Sequence, residues 1–168
     1  MIRVKRHFLE LKADNIPNWE INLPKGLYFV LDEKKDFKIN KFFYKNIGAE
    51  HYWRDRLAWT DKEWFKYVNN LNFETWILKK NDDLIGFYEQ EFHLQNNEVE
   101  LINMGILKDF RGKKLGSSLL MHSINQAFQK QPNRMWVHTC SLDHKFALQN
   151  YKSKGFKVFK EEEIDFVA

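Results

Sequence analysis

The sequence has very little cysteine: Cys140 is the only one in 168 residues. A single thiol cannot form a disulfide within its own chain, so the small disulfide-stapled secreted domains are excluded. The six histidines are scattered and show none of the cysteine and histidine spacing of a zinc site. We therefore expect a cytoplasmic protein without a bound metal.

Long apolar runs are also missing. No stretch approaches the ~20 apolar residues of a membrane-spanning helix, and the first residues lack the apolar run and cleavage site of a secretory signal. No repeat or low-complexity tract interrupts the chain, so we expect one domain over residues 1–168 and no membrane association. The formal net charge is +4, but lysine and glutamate are interspersed, which argues against a nucleic-acid-binding face.

A basic, glycine-containing turn joins an apolar run to a helix in the segment ILKDFRGKKLGSSLL, residues 106–120. The N–H groups of a first helical turn are unpaired and the helix dipole favours negative charge there, so such a turn suits a pyrophosphate. Gly112 and Gly116 allow a ligand to approach the backbone closely. Arg111, Lys113 and Lys114 add positive charge. An ordinary connection between a strand and a helix is the alternative.

Hydrophobic periodicity predicts a strand, two helices, three strands, and then helix, strand, helix and strand. Short polar turns join the three consecutive strands and indicate an antiparallel meander. Thr60 and Glu63 have the spacing of a capping box at a helix start. The predicted segments are strands at 4–11, 74–80, 84–94, 98–107, 135–140 and 156–160, helices at 39–48, 60–68, 116–128 and 146–154, and a short strand near 26–31 within an otherwise irregular stretch.

The basic turn resembles a motif of the GNAT family of N-acetyltransferases, Arg/Gln-x-x-Gly-x-Gly/Ala. Arg111 and Gly116 fill its first and last positions, and Lys114 stands where the family usually has glycine. The resemblance implies an α/β (α+β) protein with the GNAT acyl-CoA acyltransferase fold. That fold is a mixed, mostly antiparallel central sheet flanked by about four helices.

A second segment resembles the family's Asn-x-x-Ala-x-x-x-Tyr-x-x-x-Gly-Phe helix. Its matching residues are Ala147, Tyr151, Gly155 and Phe156, and His144 replaces the asparagine. The preceding segment WVHTCSLDH, residues 136–144, also resembles one bacterial subgroup of the family, without indicating a substrate. Two motifs at compatible spacing are far more specific than either alone.

The resemblance implies acetyl-CoA as co-substrate and assigns residues to its binding. The backbone of Met104, Gly105 and Ile106 is expected to bond the pantetheine arm, with the Ile106 N–H polarising the thioester carbonyl. Gly105 is predicted to mark a β-bulge that separates its strand from the next, with a plain strand under a close neighbour as the alternative. The remaining expected coenzyme contacts are Arg111, Gly112, Lys113, Lys114, Leu115, Gly116, Ser117 and His144.

Catalysis requires a neutral amine, a donor to the oxyanion and a proton for the departing thiolate. Tyr151 matches the family's tyrosine near the sulfur and is expected to act as the acid. Several members of the family that the chain resembles place a catalytic glutamate on the strand that carries Glu100, so Glu100 is expected to be the general base, with Glu89, Glu91 or a water chain as competitors. His138 and His144 are weaker candidates. Cys140 also raises the alternative of an acetyl-cysteine intermediate.

Aromatic residues are abundant, at 16% of the chain, and several cluster between residues 44 and 59. This cluster is expected to form the acceptor site together with Arg54 or Arg56, which can pair with a substrate carboxylate. The expected acceptor contacts are Tyr44, Trp53, Arg54 and Trp59. Some of these rings are also expected to fill the core between helices.

The sequence thus predicts an N-acetyltransferase that moves an acetyl group from acetyl-CoA to a primary amine by direct attack in a ternary complex. The acceptor is expected to be a small molecule or a peptide amine. Proteins of this fold often pair, so a homodimer is one option. A non-catalytic acyl-CoA-binding module with the same fold is the alternative, because Lys114 departs from the motif and the base is uncertain.

Overall fold

The computed structural model describes residues 1–14 and 16–167. In chain order the elements are β1 (Ile2–Lys12), β2 (Leu27–Leu31), α1 (Phe37–Gly48), α2 (Asp61–Val68), β3 (Phe73–Lys80), β4 (Asp83–His93), β5 (Glu98–Ile106), a 3-10 turn (Lys108–Phe110), α3 (Leu115–Phe128), β6 (Arg134–Cys140), α4 (Ala147–Ser153) and β7 (Lys157–Phe166). This order confirms the predicted fold class. The predicted capping box is also present, because Thr60 and Glu63 each bond the other's backbone.

The seven strands form one sheet in the order β2-β3-β4-β5-β6-β1-β7. Strands β2 to β5 are an antiparallel meander, and β1 lies antiparallel between β6 and β7. The β5–β6 pair is parallel. The N-terminal strand therefore crosses to the far half of the sheet, next to the strands that end the chain.

Helices cover the two faces of the sheet unequally. The face under α3 carries the largest core cluster, into which α3 inserts Leu119, Leu120 and Ile124, all fully buried. On the opposite face α1 and α2 cover β3, β4 and β5 through smaller aromatic clusters around Phe43 and Trp64. Burial of these side chains contributes roughly 1.5–3 kcal/mol each.

Strands β5 and β6 separate soon after they pair. Their ladder consists of residues 98–100 with residues 134–136. The β4 ladder shifts at the same level, since Gln90 pairs with Leu101 whereas Glu89 pairs with Asn103. Ile102 is therefore the extra residue of a β-bulge, which bends β5 away from β6.

The prediction of a bulge at Gly105 is wrong. Gly105 pairs with Phe87 in the regular ladder of β4 and β5. A Cβ atom added at Gly105 would lie 2.7 Å from Cγ2 of Ile47 on α1. The glycine therefore allows α1 to pack closely on β5, which is the alternative reading of a small residue under a neighbour.

Candidate active site

A cavity of about 790 Å³ occupies the gap between β5 and β6. It extends from the first turn of α3, past α4, to the α1–α2 loop (residues 49–60) and the end of β7. The backbone edge of β5 faces this gap without a strand partner beyond residue 100 within the described ladder. Unpaired strand N–H and C=O groups need partners, so the gap is suited to an extended, hydrogen-bonding ligand.

The turn before α3 forms one end of the cavity. Lys114 is the N-cap of α3 and has left-handed backbone angles of φ 59° and ψ 20°, so the non-glycine residue does carry the unusual conformation. Gly112 has φ 86°, and a Cβ atom at Gly112 or Gly116 would meet nothing within 4 Å. The turn thus presents open backbone to the cavity. Most of the expected residues line it there: Arg111, Gly112, Lys114, Leu115, Gly116 and Ser117.

The two basic residues Lys113 and Arg111 of this turn are placed differently. Lys113, an expected coenzyme contact, is not part of the cavity wall. Arg111 lines the cavity, and its Nε donates to the carbonyl of Ile106 at 3.1 Å and its Nη1 to the carboxylate of Glu50. This ion pair lowers the pKa of Glu50. Arg111 therefore braces the end of β5 against the segment that follows α1, as well as lining the cavity.

Met104, Gly105 and Ile106 line the cavity along β5, as expected for contacts to the pantetheine arm. Their other backbone edge pairs with β4, which leaves one edge free for the gap. His144 lies on the opposite wall. Its Nδ1 accepts a hydrogen bond from the Phe146 N–H at 3.3 Å, and partial burial lowers its pKa.

Tyr151 projects from α4 into the same cavity and is 7% exposed. Burial, reinforced by the negative charge of Asp143, raises the pKa of its phenol. The side chain therefore stays protonated at neutral pH and is available as a hydrogen-bond donor.

Glu100 lies away from this site, contrary to its predicted role. Its register partner is Trp136, in the part of the sheet where β5 and β6 are still paired. The His93 Nε2 lies 2.9 Å from its carboxylate, and burial raises the pKa of Glu100. The carboxylate does not line the cavity. The sequence placed Glu100 correctly on a strand, but β5 separates from β6 only beyond this residue.

Glu89, a competing candidate, is fully buried and already saturated with donors. Arg56 Nη1 lies 3.1 Å from both of its oxygens. Asn40 and Asn103 donate to the same carboxylate at 2.7 and 2.9 Å. Glu89 is therefore the counter-ion of Arg56, and no free oxygen is aimed at the cavity.

The aromatic cluster packs around that same arginine. The Arg56 guanidinium lies between 4.6 and 5.6 Å from the ring centroids of Tyr44, Trp59, Trp64 and Tyr67. Cation–π contacts of this kind are worth most when desolvated. Tyr44 and Trp59 line the cavity as predicted, but the cation on which they stack is Arg56. Arg56 also lines the cavity, but its Nη1 is already bonded to Glu89.

Trp53 and Arg54 both line the acceptor end, as predicted. The Trp53 indole N–H donates to Asp143 at 3.4 Å. Arg54 is exposed; its guanidinium lies over the rings of Tyr52 and Phe166, and its Nη1 donates to the Val167 carbonyl at 3.1 Å. The α1–α2 loop is therefore fastened to the end of β7 across the mouth of the cavity.

Asp143 is a cavity residue that the sequence analysis did not single out. The Thr139 hydroxyl and the Cys140 N–H both donate to one of its oxygens, and Trp53 donates to the other. It thereby joins the β6–α4 connection to the α1–α2 loop. A sequence signal was available, because aspartate is a common turn residue whose side chain bonds the local backbone, and Asp143 closes the turn that begins at Cys140.

One wall of the acceptor end is formed by the open face of β6 and β1. His138 and Cys140 alternate onto this face, and Arg6 is the register partner of Cys140. All three line the cavity. Partial desolvation and the nearby Arg6 lower the pKa of His138, against the opposing effect of Asp143 and Asp55. The imidazole is therefore neutral at pH 7 and able to accept a proton.

The surroundings of Cys140 do not favour a nucleophilic thiolate. Burial, reinforced by Asp143, raises the pKa of its thiol. A reactive cysteine requires a lowered pKa. The geometry therefore argues against an acetyl-cysteine intermediate.

In the part of the chain that is described, no three His, Cys, Asp or Glu side chains are grouped so that they could hold a metal ion. Within the same residues, none of the helices combines the length and apolarity needed to cross a membrane.

Comparison with known proteins agrees with this geometry. Residues 38–156 match the model of the acetyltransferase (GNAT) family. No curated protein sequence matches the chain. Among solved structures, a GCN5-related N-acetyltransferase from Sphaerobacter thermophilus superposes with a TM-score of 0.71 at 12% identity, covering 94% of this chain. This chain spans 49% of that longer protein.

Two shorter structures are similar over most of their own length. The ribosomal-protein-S18-alanine N-acetyltransferase from Escherichia coli has a TM-score of 0.62 at 20% identity and covers 78% of this chain and 77% of its own. A predicted acetyltransferase with acetyl-CoA from Clostridium acetobutylicum has a TM-score of 0.63 at 19% identity, with 78% and 90% coverage. At these identities the likeness concerns the fold.

Proposed function

Since this chain belongs to the GNAT acetyltransferase family, we propose that it transfers an acetyl group from acetyl-CoA to a primary amine by direct attack in a ternary complex. The observation that carries the proposal is the continuous cavity. Its wall includes a helix N-terminus, a strand edge without a partner, a buried phenol and a neutral imidazole. Each of these is a part that the reaction needs.

The α3 turn binds the pyrophosphate. N–H groups of residues 115–117 lie in the first turn of α3, where the helix dipole attracts negative charge. Lys114 and Ser117 line the same end of the cavity. The open space beside Gly112 and Gly116 accommodates the phosphate oxygens against the backbone.

The β5 edge holds the pantetheine arm. Backbone groups of Met104, Gly105 and Ile106 bond the arm as a further strand would, and this fixes the thioester in the gap opened by the Ile102 bulge. A strand N–H then polarises the thioester carbonyl and stabilises the developing oxyanion. Holding both substrates in one cavity supplies much of the rate through orientation.

His138 accepts the amine's proton as the new C–N bond forms. The C–S bond then breaks, and coenzyme A leaves as a thiolate. Tyr151 donates a hydrogen bond to that sulfur. Because the pKa of Tyr151 is raised, the phenol stabilises the thiolate without full loss of its own proton. His138 replaces Glu100 in this role, since Glu100 lies outside the cavity.

Calorimetry with acetyl-CoA and the Gly116→Arg variant tests the coenzyme site. The parent is expected to bind acetyl-CoA and CoA, and the variant is expected to lose both. The added side chain fills the phosphate space but meets no atom within 4 Å of its Cβ, so folding is preserved. Lys113→Gln is the matched control, because Lys113 is not on the cavity wall, and it should bind normally.

Release of CoA in the presence of amines then separates the two candidate functions. Turnover supports the enzyme. Binding of acetyl-CoA without turnover on any amine supports a non-catalytic acyl-CoA-binding module. Absence of binding in the parent contradicts both.

A further inference from the structure

Arg6 reaches the acceptor end of the cavity from the N-terminal strand. Arg6 lies on β1, where its register partners are Cys140 of β6 on one side and Glu162 of β7 on the other. Its side chain lies on the same open sheet face as His138, and both line the cavity. Its positive charge helps to lower the pKa of His138 and opposes the burial that raises the pKa of Cys140. Arg6 is therefore close to the reacting end of the site.

Arg6 forms a long ion pair with Glu162. Its Nη1 lies 3.4 Å from that carboxylate, at the long limit of a hydrogen bond. Its Nε is buried and has no acceptor among the described residues. Arg56 and Arg111 lie closer to their carboxylates, at 3.1 and 2.5 Å. The Arg6 side chain is 30% exposed, so an anion in the cavity can form a stronger charge-assisted hydrogen bond with its guanidinium than Glu162 does.

Arg6 and His138 are near neighbours on this sheet face. His138 is the register partner of Phe8, so Arg6 and His138 are diagonal neighbours on adjacent antiparallel strands, roughly 7–8 Å apart at their backbones. Both side chains project from the same face and line the cavity. One small molecule that carries a carboxylate next to an amine can therefore contact both.

Apolar residues lie beside Arg6 on the same face. Val4 and Ile164 are register partners next to Arg6, and both line the cavity with Phe166. Val4 is 2% exposed. A ligand that extends beyond the arginine therefore meets hydrocarbon, which favours an apolar side chain.

We propose that the amine acceptor is a free amino acid with an apolar side chain, whose carboxylate is bound by Arg6 while its amine faces His138. This assignment rests on the proposed acetyltransferase function. Arg6 acts as a specificity residue and takes no part in proton transfer. An amine without the carboxylate leaves the guanidinium with its long contact to Glu162 and no partner from the ligand.

The test compares three acceptors that share one side chain: phenylalanine, phenylalanine amide and 2-phenylethylamine. The amide represents the N-terminus of a peptide. Steady-state CoA release is measured with each at saturating acetyl-CoA, and the same comparison is made with leucine, leucine amide and 3-methylbutylamine. We expect kcat/KM to be about 10- to 100-fold higher for the free amino acids, as for the loss of one charge-assisted pair.

Arg6→Gln is expected to remove this preference, chiefly through a rise in KM for the amino acid, and Arg6→Lys to retain part of it. Arg3→Gln is the matched control. Arg3 lies on the same strand, pairs with Glu163 and Asp165, and does not line the cavity. Thermal unfolding and acetyl-CoA calorimetry of each variant establish that fold and coenzyme site are intact.

The outcomes distinguish a failure of the amino-acid assignment from a failure of the proposed acetyltransferase function. Equal or greater turnover of the amides or decarboxylated amines overturns the amino-acid assignment and leaves the acetyltransferase standing. A preference for the free amino acid that persists in Arg6→Gln also overturns the assignment and leaves the acetyltransferase standing. Bound acetyl-CoA with no turnover of any free amino acid also overturns it. Failure of the parent to bind acetyl-CoA instead removes the proposed function itself.

Discussion

Arg56 and Glu89 form an ion pair from which solvent is nearly excluded, with side chains 6% and 1% exposed. The carboxylate also accepts bonds from Asn40 of α1 and Asn103 of β5. The guanidinium, in turn, is surrounded by four aromatic rings. This pair fixes the α1–α2 loop to the sheet at the point where β5 bends.

Removal of one partner should therefore be much more costly than removal of both. Arg56→Met leaves a buried carboxylate without its counter-ion, and we expect a loss of about 3–5 kcal/mol in the free energy of unfolding. The double variant Arg56→Met, Glu89→Leu should recover much of that loss, because no charge then remains buried. Urea unfolding of the single and double variants measures the difference. Equal stability of Arg56→Met and the parent would show that the pair is not desolvated.

Lys114→Gly should stabilise the protein. Lysine occupies a left-handed conformation that costs an L-residue about 1–2 kcal/mol, while glycine adds some entropy to the unfolded chain. We expect a net gain of roughly 0.5–1 kcal/mol. Lys114→Gln is the control, since it removes the charge and keeps the strain. Chemical denaturation measures the stability of each variant, and calorimetry measures its acetyl-CoA affinity. Higher stability of both variants would mean that charge repulsion, not backbone strain, was relieved.

His122 should make the protein acid-sensitive. Its ring stacks on Phe29, and its Nδ1 lies 2.7 Å from the Tyr88 hydroxyl. Burial lowers its pKa to about 4 from the ordinary 6.5. The unfolded state therefore binds the proton first, and stability falls as the pH drops from 6.5 to 4 and levels off below 4. Allowing for the partial solvent contact of the ring, the loss is roughly 1–2 kcal/mol.

The His122→Gln variant isolates this effect. Glutamine can still accept from the Tyr88 hydroxyl but does not titrate in this range. The difference in unfolding free energy between parent and variant, measured from pH 7 to 4, should therefore shrink as the pH falls. A constant difference would show that His122 is protonated equally in both states.

His138→Gln should lower kcat by about 100-fold or more, as expected for loss of a general base. The groups that face His138 are Arg6 from β1, Asp143 and Asp55 from two loops, and Glu162 from β7. Their combined effect with desolvation lowers its pKa, so the acid limb of the parent's rate profile should lie below pH 6.5. The variant should lose that limb. His7→Gln, on the opposite face of β1, should keep it.

Cys140→Ser should retain most of the activity. The raised pKa of the thiol and the direct path from amine to thioester leave it no covalent role. Turnover with acetyl-CoA and any accepted amine measures this. Complete loss of activity, with acetyl-CoA binding intact, would restore the acetyl-cysteine alternative.

Local sequence was sufficient for the features that depend on neighbouring residues. The α3 turn and Tyr151 each belong to a short motif whose backbone conformation and helix position are set within a few residues. The element order followed from periodicity in the same way. These parts of the site were predicted because their geometry is contained in one segment.

The remaining parts depend on contacts between distant segments. Glu100 was predicted from its strand position, but the bulge at Ile102 separates it from the cavity. The aromatic cluster gave no sign that an internal arginine occupies its centre, because the Arg56–Glu89 contact joins residues 33 positions apart. Arg6 was missed since nothing local indicates that β1 lies next to β6.

The short β5–β6 ladder divides the sheet into a four-stranded and a three-stranded block, joined by residues 98–100 and 134–136 and by the helices beneath. An extended ligand that bonds to the β5 edge bridges the gap between the two blocks. Occupancy of the β5 edge and cohesion of the two blocks are thereby linked. The free protein should exchange the amide hydrogens of β6 and the second half of β5 faster than those of β3 and β4, and the bound protein should exchange them at comparable rates.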